Sequence, residues 1–271
     1  MGSTRSSRPR LPSRLLAVVA HPDDDTFGCS GSVALHADQP DFRFALVHVT
    51  SGEHGQIADP GLATRDTLGA VREEEDRRSW VALGRVPDRH EFLRYPDGGV
   101  ADAHLDGLVA RLEDVIREER PDVVITFGPE GITGHPDHIA TGLATSTAFH
   151  RVRGEEGGPR RLLHSCLPAS AMRAFNEMLI STGQEAMDLE NPRLYQPRGV
   201  PDATVKMMVD CSAVVEAKAA ALREHRTQAN DMSDVPEEAR KEILRMETHV
   251  IAWPSPSPEA PVLGDIFEGL G

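Results

Sequence analysis

Aromatic residues make up only 4% of this 271-residue chain: 2 Trp, 2 Tyr and 8 Phe. A surface that stacks on unpaired bases draws on more of them than that. Positive charge is also short. There are 29 Lys and Arg against 43 Asp and Glu, a formal net charge of −14. That balance argues against a phosphate backbone as partner, so no nucleic acid is expected; a small neutral or cationic substrate stays open. The 3 cysteines, Cys29, Cys166 and Cys211, form no C-x-x-C pair and an odd total, which speaks against a disulfide framework. No apolar run approaches the ~20 residues that a membrane-spanning helix needs, so no membrane partner is expected either. The "GCSGS" stretch is not a dinucleotide fingerprint, since G-x-G-x-x-G is absent. The first residues, "MGSTRSSRPRLPS", have no apolar core. They read as a disordered tail over 1–13 rather than a secretory or transit segment, and a cytoplasmic location is expected.

What the chain does have is an alternation of buried strands and amphipathic helices. "RLLAVVA" (14–20), "FRFALVHVT" (42–50) and "DVVITFG" (122–128) are short continuous apolar runs. Such runs suit strands covered on both faces. "HEFLRY" is a shorter strand. Residues 28–37 make a crossover helix, and 66–83 a second one stopped by Gly84 as a C′ glycine. Leu105, Leu108, Val109, Leu112, Val115 and Ile116 share one face of a third, which Pro121 ends. Within the second of these, the charged run "REEEDRR" (72–78) reads as a solvated face. The pattern predicts an α/β fold: right-handed β-α-β units, a mainly parallel sheet with helices on both faces, and an irregular C-terminal portion. There, "RLLHSCL" and "ATVKMMVDCS" are strand candidates, and "AVVEAKAAALREHRTQ" is a helix. The expected organisation is one catalytic domain over 14–252 and a Pro-rich tail over 253–271.

Two clusters carry chemistry. "AHPDDD" follows the first strand and "GHPDH" follows the strand at 122–128. Ligands of open α/β sheets bind at the carboxyl ends of the strands, so both clusters reach one sheet edge. Histidine with carboxylate is the donor mix of a catalytic zinc site, which keeps one position for water. His21, Asp24 and His138 can supply three ligands. Asp23 diverges from Asp24 in the turn and is free to take a proton. His135 and His138, three apart at a helix start, can flank one bound carbonyl. The competing reading of Asp23–Asp25 is a helix cap, and that of "HPDH" a turn capped by Asp137. The remaining histidines are isolated and read as surface or core residues.

These residues resemble the PIG-L/LmbE-like zinc deacetylases, a family that includes the de-N-acetylase of N-acetylglucosaminyl-phosphatidylinositol and the actinobacterial mycothiol enzymes. "AHPDDD" stands for the family's A-H-P-D-D-E, with Asp25 in place of Glu. "TSGEHG", the pair Arg72 and Glu75, "YPDGG" with Asp97, and "KAAALREHRTQ" extend the resemblance over roughly residues 14–230. The resemblance implies a Rossmann-like fold. It implies zinc held by His21, Asp24 and His138, Asp23 as general base, and His135 as oxyanion donor oriented by Asp137. It implies Arg72 and Asp97 as holders of substrate hydroxyls. One departure stands out: the mycothiol branch has Tyr two residues before the first His of the second motif, and here that position is Thr133.

The function implied is zinc-dependent hydrolysis of an N-acyl group, foremost N-acetyl, on a small amino sugar or glycoside. Two alternatives remain at the level of sequence: an amidase on a thiol-sugar conjugate, and a non-catalytic metal- or sugar-binding protein on the same fold. Binding alone has no use for Asp23 and His135. The sequence is compatible with a homo-oligomer and does not name the sugar.

Overall fold

The computed structural model describes residues 13–191, 193, 195–228 and 237–270; the tail expected over 1–13 lies almost wholly outside them. The first half alternates strand and helix: β1 (Arg14–Val19), α1 (Asp24–Gly28), α2 (Ser30–His36), β2 (Arg43–His48), α3 (Leu68–Leu83), β3 (Arg89–Phe92), α4 (Leu105–Glu119), β4 (Val123–Phe127), α5 (Gly131–Gly134) and α6 (Pro136–Val152). The second half runs β5 (Arg161–Ser165), β6 (Leu167–Pro168), α7 (Ala169–Ser181), β7 (Gly199–Val200), β8 (Met207–Asp210), α8 (Val215–Glu224), α9 (Glu237–Leu244) and β9 (Met246–Trp253).

Seven strands form one sheet in the order β3-β2-β1-β4-β5-β9-β8. The five from β3 to β5 are parallel, while β9 pairs antiparallel with both β5 and β8. The chain lays down β1, β2 and β3 in one direction, then returns past β1 to place β4 on its other side. The carboxyl ends of β1 and β4 therefore diverge at a topological switch point, where open α/β sheets hold ligands.

Alternate residues of β1 face opposite layers. Leu15, Ala17 and Val19 join Trp80 of α3 and Val33 of α2 in one core. Leu16 and Val18 join the apolar faces of α4 and α6 in the other. Both faces of the strand are thus dry, which is why it reads as an unbroken apolar run. Each fully buried Leu or Val stabilises the fold by ~1.5–3 kcal/mol relative to exposure. Helix α3 ends at Gly84, in the left-handed region at φ 90°, whose N–H reaches the carbonyls of Trp80 and Val81. Only glycine takes that backbone without strain.

The expectation of a solvated "REEEDRR" face is overturned. Arg72, Glu73, Glu75 and Asp76 are all buried. Each finds a polar partner inside: Glu73 takes Ser51 and Arg94, Glu75 takes Thr227, and Asp76 meets His90. Glu74, Arg77 and Arg78 alone of that run face water. Several elements carry no strong sequence signal, α7 and β9 among them. The segment after Trp253 lies against the sheet: Leu263 bridges to Met207, Arg161 donates to the Ile266 carbonyl at 2.8 Å, and Ile266 is fully buried.

Candidate active site

The turn after β1 is built by its own aspartates. The backbone N–H of His21 donates to Asp24 Oδ2 at 2.8 Å. Asp23 sits at φ 130°, a conformation uncommon for a residue with a side chain. Asp23 opens α1 but makes no side-chain cap hydrogen bond. Its carboxylate instead receives the Arg72 guanidinium at 2.9 Å. The helix-cap reading of this residue is therefore set aside. Asp25 is fully buried beneath, 3.0 Å from His48 Nε2.

The second cluster arrives after β4 through α5. In α6 the N-cap is His135 itself: its Nδ1 accepts from the Asp137 backbone N–H at 3.1 Å, and Pro136 fills the first helical position. With Nδ1 accepting, the remaining proton of a neutral ring belongs on Nε2. His138 Nδ1 lies 3.0 Å from the Gly131 carbonyl and donates to it, leaving the Nε2 lone pair free. Phe127 at the end of β4 stacks on the His138 ring at 4.2 Å.

The two clusters meet. His138 Nε2 lies 3.1 Å from His21 Nδ1 and 3.3 Å from Asp24 Oδ1, and His21 Nδ1 lies 3.4 Å from Asp24 Oδ2. These are the spacings of donor atoms that share one ion at ~2.0–2.2 Å. His135 extends the group, its ring 4.7 Å from that of His21. On the far side of His21, Nε2 faces Asp97 Oδ1 at 3.1 Å and Asp137 Oδ2 at 3.5 Å. A carboxylate on the outer nitrogen is the usual support of a metal-binding imidazole. The donor set fits a divalent cation on charge as well. Three carboxylates crowd one buried imidazole, and although burial opposes it, hydrogen bonds that the ring donates to Asp137, Asp24 and Asp97 push the His21 pKa well up. The cluster calls for positive charge.

Electrostatics separate the neighbouring aspartates. Burial pushes Asp23 up to about 7, Arg72 pulling against it and Asp24 adding to the rise. Burial alone would also raise Asp24, but His138 and the hydrogen bonds of His21 hold it well below the usual carboxylate range. Burial depresses His138 to about 4 against the pull of Asp24, and it lowers His135, with His21 adding to the drop.

Three expected roles look different in the fold. The Asp137 carboxylate does not reach His135: it accepts from the Gly98 and Val100 amides at 2.7 and 3.0 Å and faces His21. It meets His135 only through its backbone N–H. Arg72 and Asp97, expected on substrate hydroxyls, are turned inward. Arg72 is occupied by Asp23 and by the carbonyls of Gly52 and Pro22. Asp97 is held by His21 and by the His54 amide at 2.8 Å. Two residues were missed: Tyr195, whose ring lies 4.8 Å from His135, and Arg198, packed on Gly134. Both come from the irregular stretch before β7, where no periodicity or motif marks them.

A further group, His48, Asp76 and His90, also has donor atoms close enough for a metal. It lies inside the molecule, with His48 and Asp76 fully buried; His48 Nε2 lies 3.0 Å from Asp25 and His90 Nε2 2.8 Å from Asp76, and burial drives His90 down to about 3 and Asp76 well up.

Residues 16–149 match the family model PIG-L, GlcNAc-PI de-N-acetylase. A 1D-myo-inositol 2-acetamido-2-deoxy-alpha-D-glucopyranoside deacetylase from Salinispora arenicola is 30% identical, over 96% of this chain and 92% of that protein. A protein of the same name from Thermobispora bispora is 36% identical over 79% of each chain. Among solved structures, the N,N'-diacetylchitobiose deacetylase of Pyrococcus horikoshii superposes with a TM-score of 0.58 at 21% identity, over 88% of this chain and 83% of that one; at that identity the likeness is one of fold.

Proposed function

Since the chain belongs to the PIG-L family, we propose that it is a zinc-dependent deacetylase that hydrolyses the N-acetyl group of a small N-acetylglucosamine glycoside. The observation that carries this reading is the convergence of His21 Nδ1, Asp24 and His138 Nε2 within 3.4 Å at the switch point, with Asp23 alongside. His21, Asp24 and His138 would hold the metal, which when bound lowers the pKa of its water toward ~7 and polarises the amide carbonyl.

The chain's own groups do the rest. Asp23 takes a proton from the attacking water; burial, which raises its affinity for a proton, suits it to that work. Arg72 holds the Asp23 carboxylate in place at 2.9 Å. The Nε2–H of His135 donates to the developing oxyanion, because Nδ1 is already engaged by the helix N-terminus. The C–N bond then breaks and Asp23 returns its proton to the leaving amine, giving acetate and the free amino sugar. Asp97 and Asp137 fix the outer face of His21. A binding protein needs neither a strained, arginine-held aspartate nor a spare imidazole donor, so the non-catalytic reading has nothing to explain them.

No helix among the described residues is long and apolar enough to cross a membrane, which accords with a cytoplasmic enzyme acting on a small glycoside. The test is acetate release from N-acetylglucosaminyl glycosides by protein reconstituted with zinc or iron, together with metal content. Turnover should need about one metal per chain and vanish, with the metal, in His21→Ala. Full activity of metal-stripped protein, or no release from any such glycoside, would defeat the reading.

A further inference from the structure

We propose that Arg198, with Tyr195 beside it, forms a subsite next to the reaction centre that takes an anionic oxygen group, a carboxylate or a phosphate, on the substrate's aglycone. The inference rests on the deacetylase reading above and extends it to the class of glycoside.

The segment that carries these residues is far from both histidine clusters in sequence but is fastened to the second one. The Arg198 backbone N–H donates to the Ile132 carbonyl at 2.6 Å. Ile132 itself sits in the α5 turn at φ 56°, an uncommon backbone for a β-branched residue. The Arg198 guanidinium lies directly over Gly134, the residue before His135. A Cβ on Gly134 would fall 2.2 Å from Cζ and from Nη2, so the space that the missing side chain leaves is the space the guanidinium fills. Gly134 is also at φ 73°. Tyr195 completes the wall: its ring is 4.8 Å from that of His135 and the residue is 60% exposed, so a face is open beside the reacting group.

What marks Arg198 is that this charge is unspent. The other arginines of the site and of the sheet edge are paired: Arg72 with Asp23, Arg89 with Glu91 and Glu118, Arg94 with Glu73. Among the described residues the buried Nε of Arg198 has no hydrogen-bond partner. In a chain with 43 acidic and 29 basic residues, an arginine without a carboxylate is out of keeping with its surroundings. A buried donor left unpaired costs free energy that a ligand oxygen can recover. A guanidinium offers a planar fork that carboxylate and phosphate both match. Nearby acids, Asp23, Asp24, Asp97 and Asp137, would otherwise repel an anionic substrate. Arg198, packed on Gly134 next to His135, adds a positive charge on that side of the site.

The experiment uses the full metal-loaded chain and three glycosides of glucosamine with aglycones of similar size, one neutral, one bearing a carboxylate and one a phosphate. Binding of these de-acetylated products is measured by calorimetry, and hydrolysis of their N-acetyl forms is followed in parallel. At least one anionic product should bind about tenfold tighter than the neutral one, the gain expected of a charge-assisted contact. Which anion gains more identifies the group. The preference should fall to about one in Arg198→Gln, return in part in Arg198→Lys, and shrink with added salt in the wild type. Salt and the lysine variant keep the result readable if the glutamine variant folds poorly, since lost packing would not restore a charge preference. Equal binding of all three by the wild type, a preference that survives Arg198→Gln, or no binding of any glycoside overturns the subsite. Hydrolysis without anion preference sinks this inference alone; anion preference without hydrolysis sinks the deacetylase reading alone.

Discussion

Asp23 and Asp24 are adjacent, equally acidic in sequence, and pushed in opposite directions by the fold. Asp24 lies between two imidazoles; Asp23 turns away at φ 130° toward Arg72. Their roles should separate on substitution. Asp24→Ala should lose bound metal. Asp23→Asn should keep metal yet lower kcat by ~10² or more, as expected when a general base is removed. Asparagine tolerates positive φ nearly as well as aspartate, so that variant removes the carboxylate and leaves the backbone. Wild-type turnover by Asp23→Asn, with metal confirmed by elemental analysis, would move the base elsewhere. Two residues upstream of His135 the same logic applies to Thr133. Its side chain makes no hydrogen bond among the described residues, whereas the His135 ring is set by the helix N-terminus and flanked by His21. Removing a real oxyanion donor costs ~10²–10³ in kcat. His135→Ala should lose at least that, and Thr133→Ala less than about tenfold, measured on one substrate. Equal losses would give the threonine hydroxyl a share in catalysis.

Among the elements, those that build the reaction centre are the ones the sequence announces. β1 and β4 are covered on both faces, so they are continuous apolar runs; β1 delivers His21 and Asp24 within five residues of its end, and β4 delivers His135 and His138 across the short α5 turn. The metal donors are therefore contiguous in sequence and legible. Arg72 and Asp97 were legible as residues of the site but not in what they do, since a sequence cannot say whether a charge faces substrate or a neighbour. The buried acids of α3 and the interior of β9 were hidden for a related reason. Glu247 and His249 of β9 are both buried, and a charged residue at an inward position breaks the apolar alternation that marks a strand. Glu247 is supported by the Gly31 and Ser32 amides at 2.6 and 2.9 Å, the Ser32 hydroxyl at 2.6 Å and Lys218 Nζ at 2.6 Å. It ties α2, α8 and β9 together below the reaction centre. Breaking such a pair from one side leaves a buried charge unmatched. Glu247→Gln should cost ~3–5 kcal/mol in urea unfolding, and the further change Lys218→Met should restore part of it. A single-variant loss under about 1 kcal/mol would show that the pair is a small contributor. Tyr195 and Arg198 stayed invisible because the stretch that holds them has no period, and only the docking onto Ile132 and Gly134 gives them a place.

On the scale of the whole molecule, the sheet buries an unusual amount of imidazole. His164 and His249 face each other's strands across the β5–β9 pairing, where His249 is paired with Ser165 and His164 with Val250. Burial depresses both to about 4, with Glu247 opposing the drop at His249. His225, under α1 and bonded to Thr26 at 3.0 Å, is likewise brought down to about 4 by burial. A histidine whose pKa is lower folded than unfolded binds its proton first in the unfolded chain. Its contribution is therefore complete above the unfolded value of ~6.5 and is lost as pH falls from there toward the folded value. Carboxylates that are depressed on folding, such as Asp24, Asp97 and Glu247, act in the same direction but only below their unfolded range near ~4. Between pH 6.5 and 4.5 the histidines should dominate, each adding a slope of up to ~1.4 kcal/mol per pH unit. Asp23 and His21, both raised on folding, act the other way as pH falls, so the fall of the urea midpoint through pH 6 and 5 is the balance of the two sets. His249→Gln removes one of these protons from the balance, so its fall should be shallower than the wild type's by about one proton's slope, whatever its stability at pH 8. Since the metal donors titrate alike in both proteins, the difference between the two slopes isolates His249. Parallel curves would mean that His249 is already charged in the folded protein, and that the Glu247 carboxylate outweighs burial at the centre of the sheet.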